Sequence, residues 1–247
     1  MLPRFLTFTL KLVAGICCAF LLAGAHAGSF QIDPVRVELA PNRLSATLVV
    51  HNDGSDPAVI RIEARSWRQS NGEDLFESTK EVLVTPPIIT IAPGAEQIVR
   101  VALRQPIDPQ RELSYRIFLQ EVPPPPRPGF SGLQVALRIS IPVFAKPGPA
   151  AKPNVGWKAS YDAKARALRL NASNEGNAHL QIQEFKFLQP DSDTVVARHS
   201  VASYLLPGQG REWNIKLDPT VHPGRVLRLK AATDAGDLDQ EISIDAP

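Results

Sequence analysis

The chain has 247 residues, of which 44% are hydrophobic and 21% are charged, a globular composition that excludes disorder along its whole length. Its 27 basic and 25 acidic side chains give a net charge of +2, which excludes nucleic-acid binding through overall positive charge. The 23 prolines make up about 9% of the residues, against a usual value of about 5%, and favour short strands and turns over long helices.

The beginning of the chain has the pattern of an export signal. Arg4 and Lys11 supply positive charge, residues 12–22 are uninterrupted apolar, and Ala25-His26-Ala27 has the small-x-small form of a cleavage site. The alternative is a membrane anchor, but the apolar run is shorter than the roughly 20 residues that a spanning helix needs. We therefore expect a signal peptide at residues 1–27 and no membrane insertion after its cleavage.

The remaining chain offers little material for catalysis. Both cysteines, Cys17 and Cys18, lie in the segment expected to be removed, so a catalytic thiol is excluded. No motif of a nucleotide-binding loop or a nucleophilic serine occurs. The histidines lack metal-ligand spacing and are interpreted as surface or turn residues: His51, His179, His199 and His222. The sequence therefore predicts no metal, no cofactor and no enzymatic activity; an exported hydrolase is an alternative without a Ser/His/Asp grouping to support it.

A proline-rich segment divides the chain. Residues 145–153 contain three prolines and one glycine, a composition typical of a stiff linker. We predict an N-terminal domain at residues 28–147, a linker at 148–153 and a C-terminal domain at 154–247, and both domains have an ordinary size.

Apolar and polar residues alternate in short segments of the N-terminal domain, a pattern that predicts about seven strands. The segments lie at residues 35–39, 44–50, 60–65, 82–91, 99–104, 115–120 and 133–141. Turn residues separate them, for example Ala92-Pro93-Gly94. About seven short strands with turns between them are typical of an immunoglobulin-like β-sandwich.

The C-terminal domain repeats this pattern with weaker alternation. Candidate strands lie at residues 155–161, 168–172, 180–188, 194–197, 203–206, 213–217, 225–231 and 240–244. No segment predicts a helix. The fold class is therefore all-β, and a second β-sandwich is the simplest interpretation.

Several of these segments resemble the periplasmic fimbrial, or pilus, chaperones of the PapD-like family. The family's most diagnostic segment is similar to residues 114–123 (SYRIFLQEVP), and the strand that follows it is similar to residues 133–144 (LQVALRISIPVF). The family's first strand resembles residues 30–39, and a turn in its second domain resembles residues 203–208. The resemblance covers nearly the whole exported chain and is strongest between residues 98 and 147.

The resemblance implies two immunoglobulin-like domains in an L-shaped (boomerang) arrangement, in the periplasm of a Gram-negative bacterium. Proteins of this family are not enzymes. They capture pilus subunits that lack a final strand, supply a strand of their own, and pass the subunits to an outer-membrane usher. The residues implied to fill the subunit's groove are Leu133, Val135, Leu137, Ile139 and Ile141.

The residues of this strand also suggest partner binding without the family. Alternating apolar side chains on an edge strand are an aggregation hazard unless something covers them. The alternative is that the same side chains pack inward as ordinary core, and some positions could serve both purposes. The alternative function is a secreted tandem immunoglobulin-like module, a structural protein in adhesion or cell-wall binding.

The family also implies a basic pair between the domains that anchors the subunit's C-terminal carboxylate. Arg36 matches the first member of this pair, and a guanidinium can bind a carboxylate through two hydrogen bonds. Pro142 stands where the family has a lysine, so the second anchor is open. The candidates are Arg100, Arg104 and Arg138, of which Arg100 is preferred.

A third implied feature is a charged cluster that fixes the angle between the domains. Glu121 and Asp234 match its acidic members, and Lys146 stands where arginine is usual. Lysine cannot reproduce the two-pronged geometry of arginine, so a looser contact is expected. The alternative is three unrelated surface charges.

Overall fold

The structure is a computed structural model that describes residues 30–125, 135–148, 150–217 and 226–245. These residues form seventeen β-strands and no helix, which confirms the all-β prediction. The predicted signal peptide and Leu133 lie outside the described residues.

The N-terminal domain is a sandwich of two sheets. Its strands are β1 (Phe30–Asp33), β2 (Val37–Leu39), β3 (Ser45–Asn52), β4 (Ala58–Ser70), β5 (Glu73–Ser78), β6 (Val82–Thr85), β7 (Ile88–Ile91), β8 (Glu96–Leu103), β9 (Leu113–Val122) and β10 (Arg138–Ala145). One sheet has the order β1-β3-β8-β6, and the other has the order β2-β10-β9-β4-β5 with β7 also paired to β4. The inward side chains of both sheets form one core, in which Leu48, Val99 and Ile117 are fully buried.

The C-terminal domain has its own core. Its strands are β11 (Val155–Asp162), β12 (Ala167–Asn174), β13 (Leu180–Leu188), β14 (Val195–Leu205), β15 (Gly210–Lys216), β16 (Val226–Thr233) and β17 (Leu238–Asp245). They pair in the order β14-β13-β16-β17-β11-β12-β15. Side chains from both ends of this sheet meet in one cluster, which includes Leu170, Ile182, Phe185 and Ile215.

The strand boundaries differ from the sequence prediction in a few places. β5 was not predicted, because residues 73–78 are mostly polar and exposed and show no alternation. It forms a hairpin with β4 through Asn71 and Gly72, whose φ angles of 52° and 79° suit a two-residue turn of the I′ type. The predicted strands at 194–197 and 203–206 are parts of the single strand β14.

Candidate functional site

Strand β10 leaves part of one edge open. Along its whole length it pairs antiparallel with β9, from Arg138 opposite Gln120 to Ala145 opposite Leu113. On its other side it pairs with β2 only at residues 143–145. Residues 138–142 therefore present an edge that no strand covers among the described residues, and an unpaired edge is a template for another strand.

The predicted groove-filling side chains have very different environments. Ile141 is 3% exposed and belongs to the N-terminal core, and Ile139 is partly buried against the same core. Leu137 is half-buried, and Val135 is 59% exposed. Apolar exposure thus increases from the core end of β10 toward the segment that precedes it.

Glu121 makes two hydrogen bonds to the backbone of Leu137, just before β10. Its N–H donates to the carbonyl oxygen of Leu137 at 2.9 Å, and its Oε2 accepts from the Leu137 N–H at 3.0 Å. The structure therefore does not bring Glu121 to Lys146, which follows the opposite end of β10. The physical reason is the antiparallel ladder, in which the C-terminal end of β9 lies beside the N-terminal end of β10.

Arg36 lies where the two domains meet. Its Nη1 is 2.6 Å from Oδ2 of Asp234, and its Nε is 3.8 Å from Oε1 of Glu38. Nζ of Lys146 is 3.1 Å from the same Glu38 oxygen. Three of the predicted charged residues thus lie in one network, in which Glu38 joins Lys146 to Arg36 and Arg36 meets Asp234.

Asp234 follows β16 and is tied to both domains. Its Oδ1 accepts from the N–H of Gln181 at 2.8 Å, and its Oδ2 lies 3.4 Å from Nε2 of His179. Burial alone would raise the pKa of this carboxyl, but the nearby imidazole of His179, the hydrogen bond from the Gln181 N–H and the hydrogen bond from Arg36 lower it to about 2. Asp234 is therefore an anion across the physiological pH range.

The sequence predicts a surface or turn position for His179; the residue does lie in the connection between β12 and β13, but it is buried and not at the surface. Its side chain is 3% exposed, and its Nδ1 lies 2.8 Å from Oε1 of Glu112, a fully buried carboxylate that precedes β9. Its ring stacks on Phe144 with centroids 3.5 Å apart. No local pattern could have indicated this, because Glu112 and His179 are 67 positions apart in the sequence.

An apolar cluster, here called the interdomain cluster, joins the two domains. It contains buried Trp67, Phe144 and Leu206, with Phe76 and Tyr204 packed against them. Trp67 and Phe144 come from the outer face of the β2-β10-β9-β4-β5 sheet, and Tyr204 and Leu206 come from the end of β14 and the turn after it.

Arg116 extends over this cluster. Its Cζ lies 3.9 Å from the ring centre of Trp67 and 5.1 Å from that of Tyr204. Its Nε is buried and makes no hydrogen bond within the described part of the chain. Burial lowers the pKa of this guanidinium, and the nearby Tyr204 and Asp74 only partly oppose that effect. Sequence reasoning did not single out Arg116.

Arg100, the preferred second anchor, lies elsewhere. It is exposed on β8, opposite Thr47 of β3 and Thr85 of β6. This position is on the other sheet of the sandwich from β2, β9 and β10. The structure therefore does not bring Arg100 together with Arg36.

Two features are absent from the described residues, a metal-ligand cluster and a membrane-spanning helix. No group of three or more His, Cys, Asp or Glu side chains there could hold a metal ion. No helix in that part of the chain has the length and apolar character needed to cross a membrane.

Comparison with known proteins gives concordant matches. Residues 29–150 match the family described as pili and flagellar-assembly chaperone, PapD N-terminal domain. The chaperone protein PapD of Escherichia coli is 28% identical over 152 residues, a match that spans 60% of this chain and 61% of PapD.

Solved structures share the fold across both domains. A chain of the CsuC–CsuE chaperone–tip adhesion subunit complex from Acinetobacter baumannii aligns with a TM-score of 0.65 and 19% identity, covering 88% of this chain and 99% of that one. A chain of the Salmonella enterica SafA pilin–SafB chaperone complex aligns with a TM-score of 0.61 and 16% identity, covering 89% and 97%. At these identities the likeness shows the fold, two immunoglobulin-like domains.

Proposed function

We propose that this chain, which belongs to the PapD-like family of pilus-assembly chaperones, captures pilus subunits by lending them β10 and delivers them to an outer-membrane usher. Two of the structural neighbours come from complexes of a chaperone with a pilus component, a tip adhesion subunit in one and a pilin in the other. The alternative of a secreted adhesion module is not favoured. We assign the chaperone domain to residues 28–147, the linker to 148–153 and the C-terminal domain to 154–247, and we assign no catalysis.

The open edge of β10 carries this proposal. The backbone groups of residues 138–142 that are not bonded to β9 can pair with a strand of the subunit, except that Pro142 has no N–H to donate. Such pairing tolerates differences in the partner's sequence. Because β10 is already paired with β9, it loses little backbone entropy when a subunit binds. This edge is a preformed template.

Side chains before β10 supply the apolar contribution. Val135 and Leu137 retain exposed surface, and burying such a side chain fully contributes roughly 1.5–3 kcal/mol. Ile141 is already used by the chaperone's own core, and Ile139 is partly used. We therefore assign groove filling mainly to Val135 and Leu137, we include Leu133 from the sequence pattern, and we assign Ile139 and Ile141 to positioning the strand.

Arg36 is the proposed anchor for the subunit's terminal carboxylate. It lies at the domain junction and can make two parallel hydrogen bonds to a carboxylate. In the free protein it is paired with Asp234, so an incoming carboxylate must share the guanidinium with Asp234 or displace it. We assign the protein to the periplasm, with residues 1–27 as its export signal.

Affinity purification from a periplasmic extract tests this function. The wild-type chain is expected to start at Gly28 by intact mass and to co-purify with a pilus subunit identified by mass spectrometry. The double variant Val135→Glu/Leu137→Glu should keep its thermal unfolding temperature and lose the subunit, because two charges cannot enter an apolar groove.

The matched control is Leu83→Glu/Ile98→Glu, which changes two exposed apolar residues on the other sheet. This control should retain the subunit. Normal capture by a folded Val135→Glu/Leu137→Glu variant would reject the donor-strand proposal.

A further inference from the structure

We propose that an open cavity of the C-terminal domain binds a small amphipathic anion, a carboxylate carried on an aromatic or aliphatic body, and that Arg211 recognises its charge. This inference goes beyond the proposed function and does not depend on it. The cavity has a volume of about 810 Å³, within the range of about 300–1,000 Å³ that is typical of ligand sites.

Both domains contribute to the walls of this cavity. Most of the lining comes from β11, β12, β14 and β15 of the C-terminal domain. The β4–β5 turn of the N-terminal domain adds Asn71 and Gly72. Gly72 lies against the aliphatic part of Arg211, since a Cβ atom at this glycine would be 3.9 Å from Cγ of Arg211, an ordinary van der Waals distance. A ligand in the cavity therefore lies beside residues of both domains.

Arg211 occupies a core-facing position of the sheet. Ala172 in β12 is the partner of Trp157 in β11 and of Arg211 in β15. Residues directly opposite each other in antiparallel strands point to the same face, and Ala172 belongs to the C-terminal core. Trp213, two residues beyond Arg211 in β15, is buried on that same face. A charged side chain thus stands where the alternation of β15 calls for an apolar one.

Arg211 has no counter-ion in this position. Among the described residues, no carboxylate oxygen lies within 4.0 Å of its nitrogens, and its side chain makes no hydrogen bond. The other charged residues of the lining are exposed: Lys158, Glu175 and Glu212. Oε1 of Glu212 is 3.3 Å from Nε of Arg169, so this carboxylate is already paired. A carboxylate ligand would supply two hydrogen bonds to a guanidinium that is only partly exposed to water.

Two indole rings provide the apolar part of the site. The ring centres of Trp157 and Trp213 are 6.4 Å apart, with an angle of 27° between the ring planes. Phe185 of the core packs edge-on against both rings, at 5.7 Å and 4.9 Å, and fixes their positions. Trp157 keeps exposed surface, and Val201 of β14 adds an aliphatic group to the lining. A bare inorganic anion would leave the indoles uncovered and a neutral apolar molecule would leave Arg211 unpaired, so the site favours a ligand that has both parts.

Proton–nitrogen correlation spectra of the purified periplasmic chain test the assignment, because each tryptophan gives one indole N–H signal. The probe is phenylacetate. Its controls are phenylacetamide, which keeps the shape without the charge, and acetate, which keeps the charge without the ring. Phenylacetate should shift the signals of Trp157 and Trp213 and leave that of Trp67, which donates to Asp74, in place. It should bind about tenfold more tightly than phenylacetamide, which corresponds to one charge-assisted contact, and acetate should cause no shift at the same concentration.

Arg211→Gln should lower the affinity for phenylacetate to that for phenylacetamide, and Arg211→Lys should restore part of the difference. Arg198→Gln, which removes an exposed arginine of β14 outside the cavity, is the matched control and should behave as wild type. The acid-to-amide ratio is measured within each variant, so it does not depend on the folded fraction.

Three outcomes would overturn the site: equal affinities of wild type for acid and amide, an unchanged ratio in Arg211→Gln, or shifts confined to Trp67. None of them bears on subunit capture, which the purification experiment tests separately.

Discussion

His179 contacts side chains of both domains where they meet. It contacts Glu112, which precedes β9, Asp234, which follows β16, and the ring of Phe144 in β10. Burial alone would lower the pKa of its imidazole, but the neighbouring carboxylates of Asp234 and Glu112 outweigh burial and raise it. Asp234 remains ionised at neutral pH, so protonation of His179 itself changes the charge of this contact.

The stability supplied by His179 should depend on pH. A histidine whose pKa is raised on folding contributes fully below its unfolded pKa of about 6.5 and loses that contribution as pH rises through the folded value. The thermal unfolding temperature of wild type should therefore exceed that of His179→Gln most at pH 6 or below, and the difference should shrink above about pH 6.5.

The control for this experiment is His199→Gln, which changes a partly exposed histidine of β14. Its unfolding temperature should follow wild type at every pH. If the curves of wild type and His179→Gln are parallel across the range, the charge on His179 does not stabilise the junction.

At the scale of the element, β10 combines two environments in one strand. Its C-terminal half is covered by β2 and β9, and its N-terminal half is covered on one edge only. Apolar residues alternate from Val135, before the strand, to Ile141 within it, and their burial in the chain's own core increases in that direction: Val135 is largely exposed and Ile141 is buried. Substitutions at the two ends should therefore have different consequences.

Ile141→Ala should lower the free energy of unfolding by about 2–5 kcal/mol, because it leaves a cavity in a packed core. Val135→Ala should change it by less than about 0.5 kcal/mol, because Val135 is largely exposed. Urea unfolding followed by tryptophan fluorescence measures both. Equal effects of the two substitutions would contradict the distinction between a core position at Ile141 and a free position at Val135, just before β10.

At the scale of the whole molecule, polar contacts fasten the two cores to each other. Buried Gln69 of β4 donates through Nε2 to the carbonyl oxygen of Tyr204 at 2.8 Å and accepts from the N–H of Leu206 at 3.0 Å. Arg111 donates to the carbonyl oxygen of Pro207 at 3.0 Å. These bonds surround the interdomain cluster, so they orient a contact that apolar packing alone would leave less specific.

Gln69→Leu should loosen this junction while both domains stay folded. The substitution removes the Gln69 amide that bonds the part-buried Tyr204 carbonyl and the buried Leu206 N–H, and a buried group left unsatisfied costs about 1–3 kcal/mol. We expect a larger radius of gyration by small-angle X-ray scattering and faster proteolysis in residues 148–153. Gln97→Leu, at an exposed position of β8, is the control, and identical scattering from wild type and Gln69→Leu would refute a fastening role for Gln69.

Much of the fold was predictable because strand alternation is a local property. Residues two apart point to the same face, so the strands around Ile60, Val99 and Ile117 could be recognised from their immediate neighbours. Arg36 could be placed at a candidate site through the family resemblance. β5 escaped prediction because an exposed, mostly polar strand has no buried face to mark it.

By itself, the sequence determined the all-β class, the division of the chain into two domains and the apolar alternation that leads into β10. Only the tertiary structure decided which charges meet: Glu112 with His179, Arg36 with Asp234, and Arg116 with no carboxylate among the described residues. Partners such as Arg36 and Asp234 are 198 positions apart, and their contact depends on how two separately folded domains lie against each other. No periodic pattern within one strand carries that information, because local alternation specifies the face of a sheet but not what packs against it.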